Sequence, residues 1–191
     1  MKNVKLLVAL VLGFTVMTFG QTETPKNQLH GYVEFESEVS ASGNVNPMVK
    51  TYLTYGGKSK AGLYCWIQNS KSFNQVYCGP TYSPKSWLQV GGAVGVQTGS
   101  SRLQLGAFVW AGRSVKGRFV QNLFLIEKGG KWYRNQTSVD VTKRITLALA
   151  TQKFRGTGPR LEVKLNKNFT AGAEVNFGKS TSTMLALKYS F

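Results

Sequence analysis

The chain ends in Thr183-Met184-Leu185-Ala186-Leu187-Lys188-Tyr189-Ser190-Phe191, a stretch in which two kinds of side chain alternate. An apolar set falls on one face of an extended chain, and a mixed, more polar set falls on the other. The first set is Leu185, Leu187, Tyr189 and Phe191, and the second is Met184, Ala186, Lys188 and Ser190. Alternation with a period of two residues predicts a β-strand with one apolar face.

The same alternation recurs from Leu29 onward, in runs separated by short turn clusters. A strand that crosses a bilayer at a tilt needs about 9–11 residues, which is the usual length of these runs. We therefore predict a closed antiparallel transmembrane β-barrel of twelve strands. Ten strands remain possible if two weak runs merge, and eight would demand much longer loops. The predicted strands are 29–39, 48–55, 62–68, 73–82, 87–97, 102–111, 115–126, 131–141, 144–154, 160–165, 169–177 and 183–191.

The seventh of these runs is the least regular. Its phase shifts before Phe124, and we interpret that shift as a β-bulge within the strand.

The first 28 residues lie outside the strand pattern. Two lysines precede an apolar run from Leu6 to Phe19, and Gly20 supplies a small residue at a cleavage position. This is the layout of a secretory signal peptide. The alternative is a membrane anchor, but the apolar run of 14 residues is shorter than the roughly 20 that a spanning helix needs. We predict a signal peptide over 1–20, a polar lead-in over 21–28 and one barrel domain over 29–191.

The chain is strongly basic. It has 24 lysines and arginines against 8 acidic residues, a net charge of +16, which becomes +14 when Lys2 and Lys5 leave with the signal. Such a field attracts anions. Export makes nucleic acid an improbable partner, so we expect small anionic solutes and the phosphates of lipopolysaccharide instead.

Two cysteines, Cys65 and Cys78, enter an oxidising compartment after export. If the third and fourth strands form a hairpin that turns at residues 71–72, the two cysteines lie directly opposite each other. Opposed residues of antiparallel strands are close enough for a disulfide. We predict a structural bridge, with two free thiols as the alternative.

Alternation alone does not show which face meets lipid. A soluble lipocalin-like carrier barrel would turn its apolar face inward, and it is the rival fold. The face opposite the apolar one mixes charges with small residues, and small residues suit a confined interior better than a solvated exterior. They are Gly91, Ala93, Gly95, Gly106, Ala148 and Gly172.

The stretch 185–191 also resembles the last strand of bacterial outer-membrane β-barrel proteins. The resemblance implies a location in the outer membrane among its lipids, and it implies that the assembly machinery recognises the terminal Phe191. The stretches 141–147 and 165–170 are similar to the short periplasmic turns of porins. In size and strand number the chain resembles small twelve-stranded porins that pass acidic oligosaccharides.

We predict no enzymatic activity. Hydrolytic outer-membrane barrels pair a nucleophile with a histidine base, but this chain has one histidine, His30, at the start of the first strand. That position is near the periplasmic rim, whereas lipid-modifying barrels work at the outer leaflet. We also expect no cofactor and no metal, because a metal site needs a cluster of ligands.

Twelve charged residues fall on the face opposite the apolar one, and we predict that they line the lumen. They are Glu34, Glu36, Glu38, Lys50, Arg102, Lys116, Arg118, Arg134, Arg144, Arg160, Lys164 and Lys188. Because bases outnumber acids in this set, we predict a lining with surplus positive charge. The alternative is a set of interior salt bridges that plug a narrow barrel.

Strand number bears on function. Barrels of eight strands are filled by their own side chains and barrels of about sixteen hold a water channel, so twelve strands suit a narrow pore. We therefore expect a small outer-membrane channel for passive diffusion of small, anionic solutes. A structural or adhesive barrel with a plugged interior is the first alternative, and the soluble carrier is the second. The solute and the oligomeric state stay open.

Overall fold

Twelve antiparallel strands lie in the part of the chain that the computed structural model describes, which is residues 27–57, 60–71, 73–100, 102–127, 132–178 and 181–191. They are β1 (Asn27–Ser40), β2 (Val45–Gly57), β3 (Ala61–Ser70), β4 (Asn74–Lys85), β5 (Leu88–Gln97), β6 (Gln104–Val115), β7 (Arg118–Glu127), β8 (Trp132–Asp140), β9 (Ile145–Gln152), β10 (Gly156–Lys164), β11 (Phe169–Asn176) and β12 (Ser182–Ser190).

Each strand pairs with its neighbours in sequence, and β12 pairs with β1 to close the barrel. Val33 lies opposite Tyr189 in this closing pair, and the backbone of Gly31 exchanges hydrogen bonds with that of Phe191. The predicted twelve-stranded closed barrel is therefore confirmed. The predicted signal peptide lies outside the described residues, and β1 begins within the predicted lead-in.

The phase shift of the seventh predicted strand has a different cause from the bulge that we expected. Lys116 and Gly117 form a two-residue turn with positive φ angles of 49° and 76°, and β7 pairs with β6 in an unbroken register. A tight hairpin turn of this kind requires positive φ at both positions, which glycine tolerates best. The register irregularity lies instead in β4, between Tyr82 and Lys85.

The start of β10 also differs from the prediction. The predicted strands 144–154 and 160–165 left residues 155–159 as a turn, but residues 156–159 pair with β9 as the first part of β10. The turn comes earlier, at residues 153–155, where Phe154 has a φ of 76°. Glycine and proline in this stretch therefore belong to a strand, in which Pro159 lies opposite Leu149.

The two ends of the barrel differ in the segments that they carry. We call the end that holds the start of β1 and the end of β12 the terminal end, and the opposite one the distal end. The turns at 141–144 and 165–168 both lie at the terminal end, as the resemblance to porin turns implied.

The outer surface is apolar and the interior holds the ionised groups. Leu147, Leu149 and Leu185 point outward and are about half exposed, whereas Glu34, Lys50 and Arg160 point inward and are at most 5% exposed. A soluble barrel has the opposite polarity, so the lipocalin-like alternative is wrong. The structure has the polarity of a transmembrane barrel. No helix in the described ranges is long and apolar enough to cross a bilayer.

The disulfide between Cys65 and Cys78 is formed, as predicted. The two residues are directly opposed in the register of β3 and β4. Their neighbours Tyr64, Trp66 and Tyr77 point into the barrel, so both sulfur atoms lie on the outward side. The bridge therefore cross-links the β3–β4 hairpin and does not line the lumen.

Candidate functional site in the barrel lumen

The lumen has two chemically different faces. One face carries an ion-paired network on β1, β2, β8, β10, β11 and β12, joined by Arg155 from the turn before β10, and we call it the ionic cluster. The other face carries rings and aliphatic groups mainly on β3 to β7, and we call it the aromatic face.

Arg160 is the centre of the ionic cluster. Its guanidinium donates hydrogen bonds to the carboxylate of Glu34, to Glu162 at 2.8 Å and to Glu174 at 3.3 Å, and it lies 3.6 Å from Glu36. The residue is only 4% exposed. One buried cation therefore holds together carboxylates from β1, β10 and β11.

Four further cations complete the cluster. Lys50 pairs with Glu36, Lys188 pairs with Glu162 at 3.0 Å, Arg134 pairs with Glu174 at 3.0 Å, and Arg155 pairs with Glu38 at 2.7 Å. Among the described residues, five cations thus pair with five carboxylates in this cluster. The cluster carries no net charge, and the surplus of positive charge that we predicted for the lining is not found in it.

The aromatic face packs rings against one another. Tyr64 and Phe108 meet edge to face with centroids 4.6 Å apart, and Tyr32 stacks with Tyr52 at 5.6 Å. Trp66 and Leu125 are buried in the same group. The predicted small residues explain how these rings fit.

Gly91 and Gly106 leave the space that rings of the aromatic face occupy. A Cβ on Gly91 would fall within 2.9 Å of the Phe108 ring, and one on Gly106 would fall 3.0 Å from Tyr77. Small residues do point to a confined interior, as predicted, but the space beside them is filled by aromatic side chains.

A cavity of about 400 Å³ lies between the two faces. Its lining includes Thr54, Gln89, Trp110 and Gln121, which belong to the terminal halves of their strands, and Lys188, whose side chain is 24% exposed. Aromatic rings line one side of the cavity, together with Gln89 and Gln121, and ionised groups line the other, so the cavity is amphipathic. It begins in the terminal half of the barrel and reaches the middle, where Arg134 and Leu125 line it, and we call it the vestibule.

The distal half of the lumen is packed. We call the side chains that fill it the closing layer: Met48, Tyr77, Glu174, Asn176 and Met184, each at most 3% exposed. Arg155 reaches this layer from the turn between β9 and β10 and contacts Met48 and Met184. The lumen is therefore wider towards the terminal end than towards the distal end.

Comparisons with solved structures agree with this architecture. The KdgM porin superposes with a TM-score of 0.58 at 16% identity, covering 84% of this chain and 99% of its own. The KdgM porin in complex with disordered oligogalacturonate gives 0.57 at 15% identity, covering 85% and 99%. The outer membrane protein Omp33 of Acinetobacter baumannii gives 0.56 at 9% identity, covering 88% and 100%. The chain has the fold of these porins. No protein-family model and no curated protein matches the sequence.

Within this porin fold, seven of the predicted lining residues belong to the ionic cluster. They are Glu34, Glu36, Glu38, Lys50, Arg134, Arg160 and Lys188. Five others are exposed at the barrel ends and contribute to no part of that cluster. Arg102 lies in the turn before β6, at the distal end, and Lys116, Arg118, Arg144 and Lys164 lie at the terminal end.

Three members of the cluster were missed as site residues. Glu162 and Glu174 lay on the polar phase of their predicted strands, so the alternation already carried a signal for them. Arg155 lies in a turn, where no period indicates the direction of a side chain. The aromatic face was missed because the predicted site was built from charged residues alone, although Phe108 and Trp110 lay on the polar phase of their predicted strand.

The terminal end of the porin fold carries a ring of exposed cations that we call the basic collar. Its members are Lys60, Lys85, Arg113, Lys116, Arg118, Lys143, Arg144, Lys164 and Lys167. Asp140 is the acidic residue near them in the described part of the chain, and it accepts a hydrogen bond from Thr146 at 2.6 Å. Among the described residues, the exposed cations are thus concentrated at this end.

The two other residues singled out from the sequence, His30 and Phe191, lie outside the ionic cluster. His30 lies near the terminal end of β1 and is exposed, and its backbone carbonyl accepts a hydrogen bond from Thr54 at 3.2 Å. No group of three or more potential metal ligands occurs among the residues that the structure describes. The ring of Phe191 lies 6.1 Å from that of Tyr189, on the outer surface.

Proposed function

We propose that the protein is a narrow channel of the bacterial outer membrane, for passive diffusion of small anionic solutes. The observation that carries the proposal is the polarity of the closed barrel. Its outer surface suits acyl chains, and its interior holds ionised side chains around a cavity of about 400 Å³. The likeness to solved porins supports the same reading.

The basic collar is the proposed source of the anion preference. Nine exposed cations around the terminal mouth raise the local concentration of anions. The ionic cluster below them is neutral, so we attribute the long-range attraction to the collar. Solutes that enter the vestibule then meet cations and carboxylates that are already paired.

The shape of the vestibule favours solutes with one flat apolar side and one polar side. Tyr52 and Trp110 line one wall, while Arg134 and Lys188 line the other. Sugar rings with carboxylate groups have this character, and the KdgM porin has been solved in complex with oligogalacturonate. We therefore propose acidic sugars as candidate solutes.

Export and assembly belong to the same proposal. Residues 1–20 would direct the chain across the inner membrane, and the assembly machinery would read Phe191 on the last strand. Phe191 is suitably placed, because its backbone is hydrogen-bonded to β1 where the barrel closes.

Planar-bilayer recording tests the channel directly. The refolded, disulfide-bonded protein is expected to give small single-channel currents, and a salt gradient is expected to give a reversal potential displaced towards that of the anion. Heat-modifiable migration on a gel verifies that the barrel is folded in each preparation. A folded barrel without current, or one that clearly prefers cations, would contradict the proposal.

The packed distal half favours a second candidate, a structural or adhesive barrel without transport. Met184 and Glu174 are only 1% exposed, so the closing layer leaves little room in the resting structure. This candidate gives a silent bilayer, and a deletion strain that loses envelope integrity or attachment without any defect in solute uptake.

A further inference from the structure

We propose that Arg155 is the gate and the anion-selecting residue of the distal mouth. The proposal rests on the channel function proposed above and adds a residue that determines passage. An arriving oxyanion takes the place of Glu38 on the guanidinium, and the side chain then swings out of the mouth with its turn.

The position of Arg155 carries the argument. It lies in the turn at residues 153–155, yet its guanidinium reaches across to strands on the other side of β11. It donates a hydrogen bond to Glu38 of β1 at 2.7 Å, and its terminal nitrogens lie 3.7 Å from the sulfur of Met184 on β12 and 3.8 Å from the sulfur of Met48 on β2. The side chain therefore spans part of the mouth.

The two partners of this ion pair differ in how firmly they are held. Glu38 is a strand residue, and its second carboxylate oxygen accepts a hydrogen bond from Ser182 at 3.1 Å. Arg155 belongs to a turn, where the backbone is more mobile than in a paired strand. When the pair separates, Glu38 keeps Ser182 and Arg155 is the part that moves.

The pair is also more accessible than the centre of the cluster. The side chains of Arg155 and Glu38 are 15% and 18% exposed, whereas those of Arg160 and Glu174 are 4% and 1% exposed. Ion pairs that water reaches are weak and are screened by salt. Exchange at the distal mouth is therefore easier than exchange at the centre of the cluster.

The chemistry of the guanidinium sets the preference. Its planar array of donors binds carboxylates and phosphates through two parallel hydrogen bonds. A solute oxyanion offers the same contact that Glu38 now makes, so exchange does not leave the arginine unpaired. A cationic solute cannot replace Glu38, and a neutral solute forms only a weaker contact.

The same turn supplies a matched control. Lys153 is also a cation, but its ammonium group lies 5.4 Å from the centre of the Phe154 ring, which is itself 78% exposed. Among the described residues, the side chain of Lys153 makes no hydrogen bond or ion pair with the closing layer. Each of the variants Arg155→Ala and Lys153→Ala therefore removes one positive charge from the same turn. Only Arg155→Ala also removes a side chain from the distal mouth.

Bilayer recordings on the full mature chain test the proposal with four variants. Arg155→Ala is expected to raise single-channel conductance by about twofold or more and to lower the ratio of anion to cation permeability. Glu38→Gln is expected to raise conductance as well, but to increase anion preference, because the arginine is freed. Arg155→Lys should raise conductance and keep the anion preference, and Lys153→Ala should behave as the wild type.

The outcomes separate the gate from the channel. If the wild type conducts and Arg155→Ala matches Lys153→Ala in both conductance and reversal potential, the gate is refuted and the channel stands. If every variant is folded and silent, the channel fails, and the gate fails with it. A silent wild type contradicts the channel, and a conducting Arg155→Ala variant beside it would show that Arg155 closes the distal mouth. If Arg155→Ala does not fold, two results decide the matter: the increased anion preference expected for Glu38→Gln, and the higher conductance with unchanged preference expected for Arg155→Lys.

Discussion

Arg160 shows how a single residue supports the interior of the barrel. Removing its charge while keeping a side chain of similar length, as in Arg160→Met, leaves Glu34 buried without its main cation and Glu174 with Arg134 alone. We expect a loss of about 3–5 kcal/mol in the free energy of unfolding, the usual cost of breaking a buried pair. Urea titration of the detergent-folded protein, followed by tryptophan fluorescence, measures it.

Arg118→Ala is the control for that measurement, because Arg118 is exposed and lies outside the ionic cluster. Its effect is expected to stay within about 0.5 kcal/mol, as is usual for surface positions. Equal losses in the two variants would show that the cluster does not stabilise the fold.

The directions of single side chains were predictable from the sequence within strands but not across turns. Glu34 and Lys50 lie mid-strand and directly opposite each other, so the alternation placed both inward. Arg118 was assigned the wrong direction because the phase was carried through the turn at Lys116 and Gly117. Arg118 pairs with Val115, which lies on the outward face of β6. Opposed residues of antiparallel strands share a face, so Arg118 points outward as well.

At the scale of elements, the β6–β7 hairpin depends on Gly117. Its φ of 76° is costly for residues with a Cβ, so Gly117→Ala should destabilise the barrel by about 1–2 kcal/mol. Gly92→Ala is the control, because Gly92 has ordinary backbone geometry and a Cβ there would meet nothing within 4 Å. Urea midpoints measure both, and an equal effect would exclude the turn geometry as the cause.

The β3–β4 hairpin gives a second prediction at this scale. Replacing both cysteines, Cys65→Ser with Cys78→Ser, should lower stability by about 3 kcal/mol, because the bridge closes a short loop of the unfolded chain. The sulfur atoms lie on the outward side, so single-channel conductance should not change. Reduction of the wild type serves as the chemical equivalent. A change in conductance would show that the hairpin shapes the lumen.

The strands themselves were predictable because turn clusters and alternation agree along most of the chain. They disagreed where glycine and proline lie inside a strand. Gly158 and Pro159 were read as a break, but the backbone of Val175 lies where a Cβ of Gly158 would be, so glycine permits the close approach of β11. Sequence alone does not distinguish a glycine that turns the chain from one that admits a neighbouring strand.

At the scale of the whole molecule, composition gave the sign of the charge but not its distribution. The surplus of cations was assigned to the lining, whereas the described structure places a neutral network in the lumen and nine exposed cations in the basic collar. The difference follows from burial. Charges in a narrow interior must be paired, and unpaired cations are tolerated only where water or lipid headgroups solvate them.

This separation of charge predicts how selectivity depends on salt. The Debye length falls from about 10 Å at 0.1 M to about 3 Å at 1 M, so attraction by the collar should weaken strongly over that range. Reversal potentials measured at both concentrations, with the same tenfold gradient, should show a lower anion preference at high salt.

Lys143→Gln with Arg144→Gln, two collar residues, should lower the preference at 0.1 M and have little effect at 1 M. Lys71→Gln, an exposed cation in the turn between β3 and β4 at the distal end, is the control and should change the preference less. A contact between a solute and Arg155 acts at short range and resists screening, so the part of the preference that survives at 1 M should disappear in Arg155→Ala. Selectivity that does not change with salt concentration would show that the basic collar is not its source, and would leave Arg155 as the source.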